Sequence, residues 1–347
     1  MSRWPDTRFL ALAGARLPIV QAPMAGAGGV ALAVAAIKGG AVGSLPCAML
    51  APGEVRAQAA EVRAAGDGPL ALNFFCHTMP EDAEDGAWRA LLRPFYEAAG
   101  VDPHAGGGGA ARRPFDAAHC AAVEDVRPAL VSFHFGLPDE ALLARVRATG
   151  ARIVGNATTV AEARALAARK VDAIIAQGWE AGGHAGRFLM DPPDEQMGLI
   201  ALLPQIVDAV DLPVIAAGGI GDARGIAAVF LLGAAAVQLG TAYLHCPESL
   251  IMATHRLGLV GAAAEHTAFT NLYSGGLARG LPTALTEALG PIREEAPPFP
   301  LAGAALAPLG FKPHWAGQAA RLGRPEGAAA LTERLGREAL ALLGAKA

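Results

Sequence analysis

The stretch ALVSFHFGLPDEALLARVRATGARIVGNATTVAEARALAARKVDAIIAQ, residues 129–177, decides the fold. Short apolar runs at 129–135, 152–156 and 173–177 alternate with helix-length amphipathic runs at 138–149 and 159–170, the second opened by a cap at Thr159. Strand–helix–strand order implies parallel pairing through crossover helices. The same alternation extends outward. Strands are expected at 18–21, 41–45 and 70–75 before this stretch, and at 213–217 and 235–239 after it. Helices are expected at 30–38, 52–65 (with proline in its first turn), 81–99, 197–210 and 222–232. Eight strand units over about 240 residues match a (β/α)8 TIM barrel in count and length. An open doubly wound sheet is disfavoured, because no G-x-G-x-x-G follows the first strand. Residues 102–114, with glycine at 106–109, read as a mobile loop. Beyond 245 the pattern changes to proline-rich turns, ending in an amphipathic helix at 326–343. The expected organisation is a barrel from 1–243 and 318–347, with a smaller, partly helical second domain at 244–317 covering the site.

Composition bounds the rest. Hydrophobic residues make up 53% of the 347 and charged residues 17%, enough apolar material for a large core and too much for disorder. The net charge of −4 suggests no nucleic-acid or polybasic membrane binder. Residues 225–244 carry no charge, yet glycines at 233 and 240 divide them into a helix-sized and a strand-sized piece. The four cysteines, Cys47, Cys76, Cys120 and Cys246, stand at no metal-ligand or redox spacing, which favours a reducing compartment. The first residues lack the apolar core of a signal peptide, so a cytoplasmic location is expected.

In such a barrel the working residues lie at the C-terminal ends of the strands. Gly218-Gly219 and Gly240-Thr241 follow the seventh and eighth strands, where backbone N–H groups can close on a phosphate. That phosphate could belong to a flavin mononucleotide or to a sugar phosphate. Asn73, Gln177 and Gln238 end otherwise apolar strands, and three buried amides at one end favour a polar, planar ligand. Among nine histidines, His104, His119, His255, His266 and His314 fall in apparent loops or surface helices. His134 and His184 would face the barrel mouth, where an imidazole suits proton removal near neutral pH. No metal-ligand cluster is apparent, and no carboxylate pair recurs at strand ends to suggest glycosidase chemistry.

The motifs at 18–24, 73–77, 132–136, 177–186, 155–159, 217–221, 238–241 and 315–318 together resemble those of class I nitronate monooxygenases (2-nitropropane dioxygenases). The first-strand and Gly-Gly-His motifs are shared with flavin-dependent enoyl and quinone reductases; Ser132-Phe133-His134-Phe135-Gly136 points to the monooxygenase branch. The resemblance implies an FMN cofactor held by Met24, Asn73, Gln177, Gly182, Gly183, Gly218, Gly219, Gln238, Leu239, Gly240 and Thr241. It implies His184 as catalytic base and His134 as a substrate-binding residue. It also implies oxidation of a small nitronate, such as propionate 3-nitronate, by dioxygen to a carbonyl compound and nitrite, in a monomer or homodimer. The alternative is an FMN-dependent NAD(P)H:quinone or enoyl reductase. One segment departs from the family pattern, which usually has Arg-Pro where this chain has Gly276-Leu277.

Overall fold

The computed structural model describes residues 4–81, 84–105, 112–189 and 196–344. The glycine run at 106–109 and residues 190–195 of the loop before the expected helix at 197 lie outside the described residues. The apolar runs become β1 (Ile19–Gln21), β2 (Gly43–Pro46), β3 (Leu70–Phe75), β4 (Leu130–His134), β5 (Arg152–Ala157) and β6 (Ala173–Gln177). A two-residue strand, β7 (Gly183–His184), precedes β8 (Val214–Ala217) and β9 (Ala236–Leu239). Among the described residues, β1–β6, β8 and β9 form one eight-stranded parallel sheet in the order 1-9-8-6-5-4-3-2. A parallel bridge between Val20 and Val42 joins β1 to β2 and closes the sheet into a barrel. The predicted (β/α)8 fold is therefore the one formed.

The helices follow from local chemistry. Pro52–Ala65 starts with proline and has the Glu54 carboxylate on the Ala51 N–H at 2.7 Å. Asp139 caps Glu140–Ala148, Thr159 caps Val160–Ala168, and Asp222 caps Ala223–Leu231, each accepting from a first-turn N–H. The uncharged stretch 225–244 is divided as expected: helix, then β9, then the short helix Thr241–Leu244. No described helix is long and apolar enough to cross a membrane.

Two helices add to the sequence reading. Ala117–Val126, capped by Asp116, covers the barrel between β3 and β4. The six-residue helix Arg8–Ala13 sends Phe9, fully buried, into the cluster that fills the barrel interior with Val20, Val42, Val154 and Ile215. That plug seals the N-terminal end of the barrel and leaves the C-terminal end open for a site.

Over the open end lies a second layer. Strands β10 (Ala268–Thr270) and β11 (Ala278–Gly280) form an antiparallel pair, and β7 adds to it with Ala278 opposite His184. The helix Gly86–Ala99 turns Trp88, Leu92 and Tyr96 away from the barrel. They pack with Leu272, Leu285 and Leu306 in a separate apolar cluster. Its polar atoms are satisfied there: Trp88 Nε1 donates to the Ala302 carbonyl at 3.1 Å and Tyr96 Oη to that of Ala305 at 2.6 Å.

Candidate active site

Between the strand ends and this layer is a cavity of about 680 Å³. It is lined by Met24, Asn73, His134, Gln177, Gly182, Gly183, His184, Gly218, Gly219, Gln238, Gly240 and Thr241. The strand-end residues singled out from the sequence thus converge on one space. Leu239 does not line it: its side chain is buried in the barrel core, because side chains alternate along a strand and Gln238 takes the inward position.

His184 is placed by three contacts. Its strand pairs with β11, its Nε2 lies 2.9 Å from Ser274 Oγ, and its carbonyl accepts from Gln177 Nε2 at 2.9 Å. The same carbonyl accepts from His134 Nε2 at 3.2 Å. Phe75, Phe135, Phe299 and Trp315 surround the His184 ring at centroid distances of 5.2–6.2 Å. Removal from water holds the His184 imidazole well below its ordinary range, and the nearby Arg112 cation pushes it the same way. Burial lowers His134 to about 4, so its ring is neutral near pH 7.

The amides divide into occupied and open. Gln177 Oε1 accepts from Asn156 Nδ2 at 3.0 Å and from the Gly186 N–H at 2.8 Å. With Nε2 on the His184 carbonyl, Gln177 is chiefly a brace for the loop carrying the imidazole. Asn73 Nδ2 donates to Ser132 Oγ at 3.0 Å, which leaves Oδ1 without a donor among the described residues. The Gln238 amide likewise has no partner among the described residues, although it lines the cavity.

At the glycine-lined end, Gly218 and Gly219 have φ of +109° and +68°, conformations that side chains with a Cβ resist. Gly182 is required by close approach: a Cβ there would lie 2.5 Å from the Gly317 nitrogen. The Gly317 N–H in turn donates to Thr241 Oγ1 at 2.9 Å, and the Gln318 N–H to the Glu180 carbonyl at 3.0 Å. Residues 317–318 therefore tie the loop after β6 to the turn after β9.

Two histidines assigned to loops or surface helices are in fact buried. His119 bridges Asp116 and the Leu50 carbonyl at 2.8 and 3.0 Å beneath the barrel helices. His255 lines the cavity and stacks on His314, with centroids 4.8 Å apart and planes within 9°. His119 lies in Ala117–Val126 and His255 in the helix Ala253–Val260, two short helices whose sequences show little contrast between faces. Arg112 also lines the cavity, and no pattern in the sequence flagged it. Gly276, at the departure from the family pattern, backs onto Phe299: a Cβ there would lie 3.1 Å from the Phe299 ring. No group of His, Cys, Asp and Glu able to hold a metal ion occurs among the described residues.

A cavity at the open, C-terminal end of a (β/α)8 barrel, lined by side chains from the strand ends, is where the active sites of barrel enzymes lie. The family model described as nitronate monooxygenase matches residues 7–332. The chain is 42% identical over 345 residues to a nitronate monooxygenase of Paraburkholderia phytofirmans, covering 95% of this chain and 94% of that one. It is 39% identical over 350 residues to one of Pseudomonas aeruginosa, covering 94% and 97%. Among solved structures it is similar to a nitroalkane oxidase from Streptomyces ansochromogenes. The TM-score is 0.87 at 33% identity, covering 98% of this chain and 100% of that one. The chain belongs to the nitronate monooxygenase family.

Proposed function

We propose that the protein is an FMN-dependent enzyme that oxidises alkyl nitronates with dioxygen to a carbonyl compound and nitrite. The observation that carries this reading is the arrangement of one cavity: a glycine-lined end at Gly218, Gly219, Gly240 and Thr241, open amides at Asn73 and Gln238 in its wall, and the His134–His184 pair. The size lies within the usual 300–1,000 Å³ of cofactor and ligand sites, roughly. The two positive-φ glycines offer backbone N–H groups to a phosphate, and the Thr241 hydroxyl retains a proton to donate. Asn73 Oδ1 and the Gln238 amide, open in the cavity wall, would meet the alternating donors and acceptors of an isoalloxazine edge, with Met24 and the Gly182-Gly183 backbone in the same lining. When bound, FMN supplies the electron transfer from nitronate toward dioxygen.

The protein residues bind, orient and move the proton. For a neutral nitroalkane, His184 takes the α-proton. The Ser274 hydroxyl reaches the Gly276 carbonyl at 3.4 Å; donating there, it accepts from His184 Nε2–H and leaves Nδ1 with the basic lone pair. His134 stays neutral and holds the His184 carbonyl while lining the substrate space. The four aromatic rings keep the site dry, which strengthens each polar contact in it. The barrel at 1–243 and 318–347 is assigned to the cofactor and segment 244–317 to covering the substrate, in a cytoplasmic monomer or homodimer.

The test is a visible spectrum of the purified protein, mass spectrometry of any released chromophore, and a nitrite assay with propionate 3-nitronate. FMN and nitrite are expected. FAD, or no flavin after reconstitution, would overturn the reading. Rapid bleaching of the flavin by NAD(P)H without air, and no nitrite, would favour the reductase alternative.

A further inference from the structure

The wall of the cavity carries a cation with no carboxylate partner among the described residues. Arg112 lines it, and no carboxylate among the described residues lies within ion-pair distance of its guanidinium. Arg112 Nε is buried without a hydrogen-bond partner among the described residues, and the guanidinium sits over the Phe299 ring at 5.9 Å. Phe299 is also a wall for His184, with centroids 5.2 Å apart. Arg112 and His184 therefore approach the same ring. The segment bearing Arg112 is tied down, because its carbonyl accepts from His77 Nε2 at 3.1 Å and His77 packs on Phe299 at 4.8 Å. The carboxylate in the cavity lining among the described residues, Glu180, is engaged elsewhere, with both oxygens on the Leu199 N–H at 3.0 and 2.9 Å. The other lysine or arginine in the lining, Lys312, is exposed.

A half-buried guanidinium with its Nε withdrawn from water and no counter-charge beside it is costly, and an arriving anion lowers that cost. Its donors form a planar fork that matches a planar two-oxygen anion. We propose that Arg112 is the oxyanion receptor of this cavity and a specificity-determining residue for anionic substrates. The proposal rests on the nitronate reading for the identity of its ligand. The shared chemistry is a planar oxyanion, either the nitronate head itself or a carboxylate carried elsewhere on the same molecule. In the first case Arg112 also assists deprotonation of neutral nitroalkanes. As His184 takes the α-proton, the C–H electron pair moves onto the nitro oxygens, where the guanidinium faces it.

The test uses the purified holoenzyme and nitrate, a planar anion that cannot be turned over. Nitrate affinity is measured by calorimetry on the parent, Arg112→Met and Arg112→Lys, with flavin content and melting temperature as controls for folding. Loss of hydrogen bonds to a charged group predicts a rise in Kd of about 10- to 100-fold for Arg112→Met. Arg112→Lys should fall between, keeping charge without the fork. Nitrate affinity unchanged in both variants would overturn the proposal. A second arm compares KM for ethyl nitronate and for propionate 3-nitronate. A rise for both assigns the nitronate head, a rise for the carboxylate-bearing substrate alone assigns the tail, and no rise for either overturns the proposal. If the parent makes no nitrite from any nitronate yet binds nitrate through Arg112, the nitronate reading fails and the receptor stands. If nitrite forms and Arg112 is immaterial to binding, the receptor alone fails.

Discussion

His134 donates from Nε2 to the backbone carbonyl of His184 at 3.2 Å, so one imidazole of the cavity is spent on holding the residue that carries the other. That bond fixes the His134 proton on Nε2, and burial keeps the ring neutral down to about pH 4. His134 should therefore contribute no break to a pH–rate profile between pH 5 and 8. Initial rates on a nitronate across this range check the point: a break near 6.5 that vanishes in His134→Gln would contradict it.

Replacing His184 by Asn should separate two substrate forms. A nitronate is already deprotonated and needs no base, whereas a neutral nitroalkane does. Loss of a general base costs about 100- to 10,000-fold. That loss is expected for nitroethane, with a much smaller one for ethyl nitronate and with flavin retained. Steady-state rates on both forms decide it; equal losses would remove His184 from the role of base.

Ser274→Ala removes the hydroxyl 2.9 Å from His184 Nε2 and leaves the ring free to change tautomer. The expected effect is roughly a 10-fold fall in turnover of neutral nitroalkanes, the worth of about one hydrogen bond, with nitronate turnover little changed. Ser274→Thr should restore part of it. Unaltered rates on nitroethane would show that the hydroxyl does not set the tautomer.

Acid should weaken the fold through His255. Its folded pKa is lowered to about 4 by burial, against an ordinary value near 6.5. Between these values the unfolded chain binds a proton that the native chain does not, so stability falls as pH drops through that window. Going from pH 7 to pH 4.5, this one group should cost about 2–3 kcal/mol. His255→Phe keeps a ring against His314 and should lose less stability over the same interval. Urea denaturation at both pH values measures the difference, and identical losses would count against the assignment.

Cysteine chemistry should be irrelevant to turnover. All four thiols are free, three of them buried, and burial pushes Cys47 up to about 12 and raises Cys76 as well. Cys76→Ala should retain FMN and nitrite production, and brief iodoacetamide treatment at pH 7 should leave the rate unchanged. Loss of turnover on either treatment, with flavin still bound, would be the contrary result.

The barrel was legible because strands buried on both faces read as continuous apolar runs, as at Leu70–Phe75, which matches its expected span, and Ala173–Gln177. Helix Ala117–Val126 was not, since AAHCAAVEDV is mostly small residues with little contrast between faces. Its Asp116 cap was the available signal. Strands of two or three residues such as β7, β10 and β11 are too short for a period, and only tertiary pairing makes them. The strand-end half of the site was readable because barrel topology says where to look. Arg112 comes from a connecting segment and His255 from the helix Ala253–Val260 outside the barrel, and nothing local to either announces a shared cavity.

The pairing of β7 with β11 stretches the residue bearing the imidazole between two bodies, because Gln177 and His134 hold its carbonyl to the barrel. His184 belongs by sequence to the barrel loop after β6, yet its backbone is hydrogen-bonded to the strand that follows Ser274. Any breathing of the covering layer would pull against those two hydrogen bonds and misalign the proton acceptor over the floor formed by Asn73 and Gln238. Admission of substrate and disarming of the base would then be a single motion. An engineer exchanging the cover for that of a relative, to widen substrate scope, would be exchanging the alignment of the base as well.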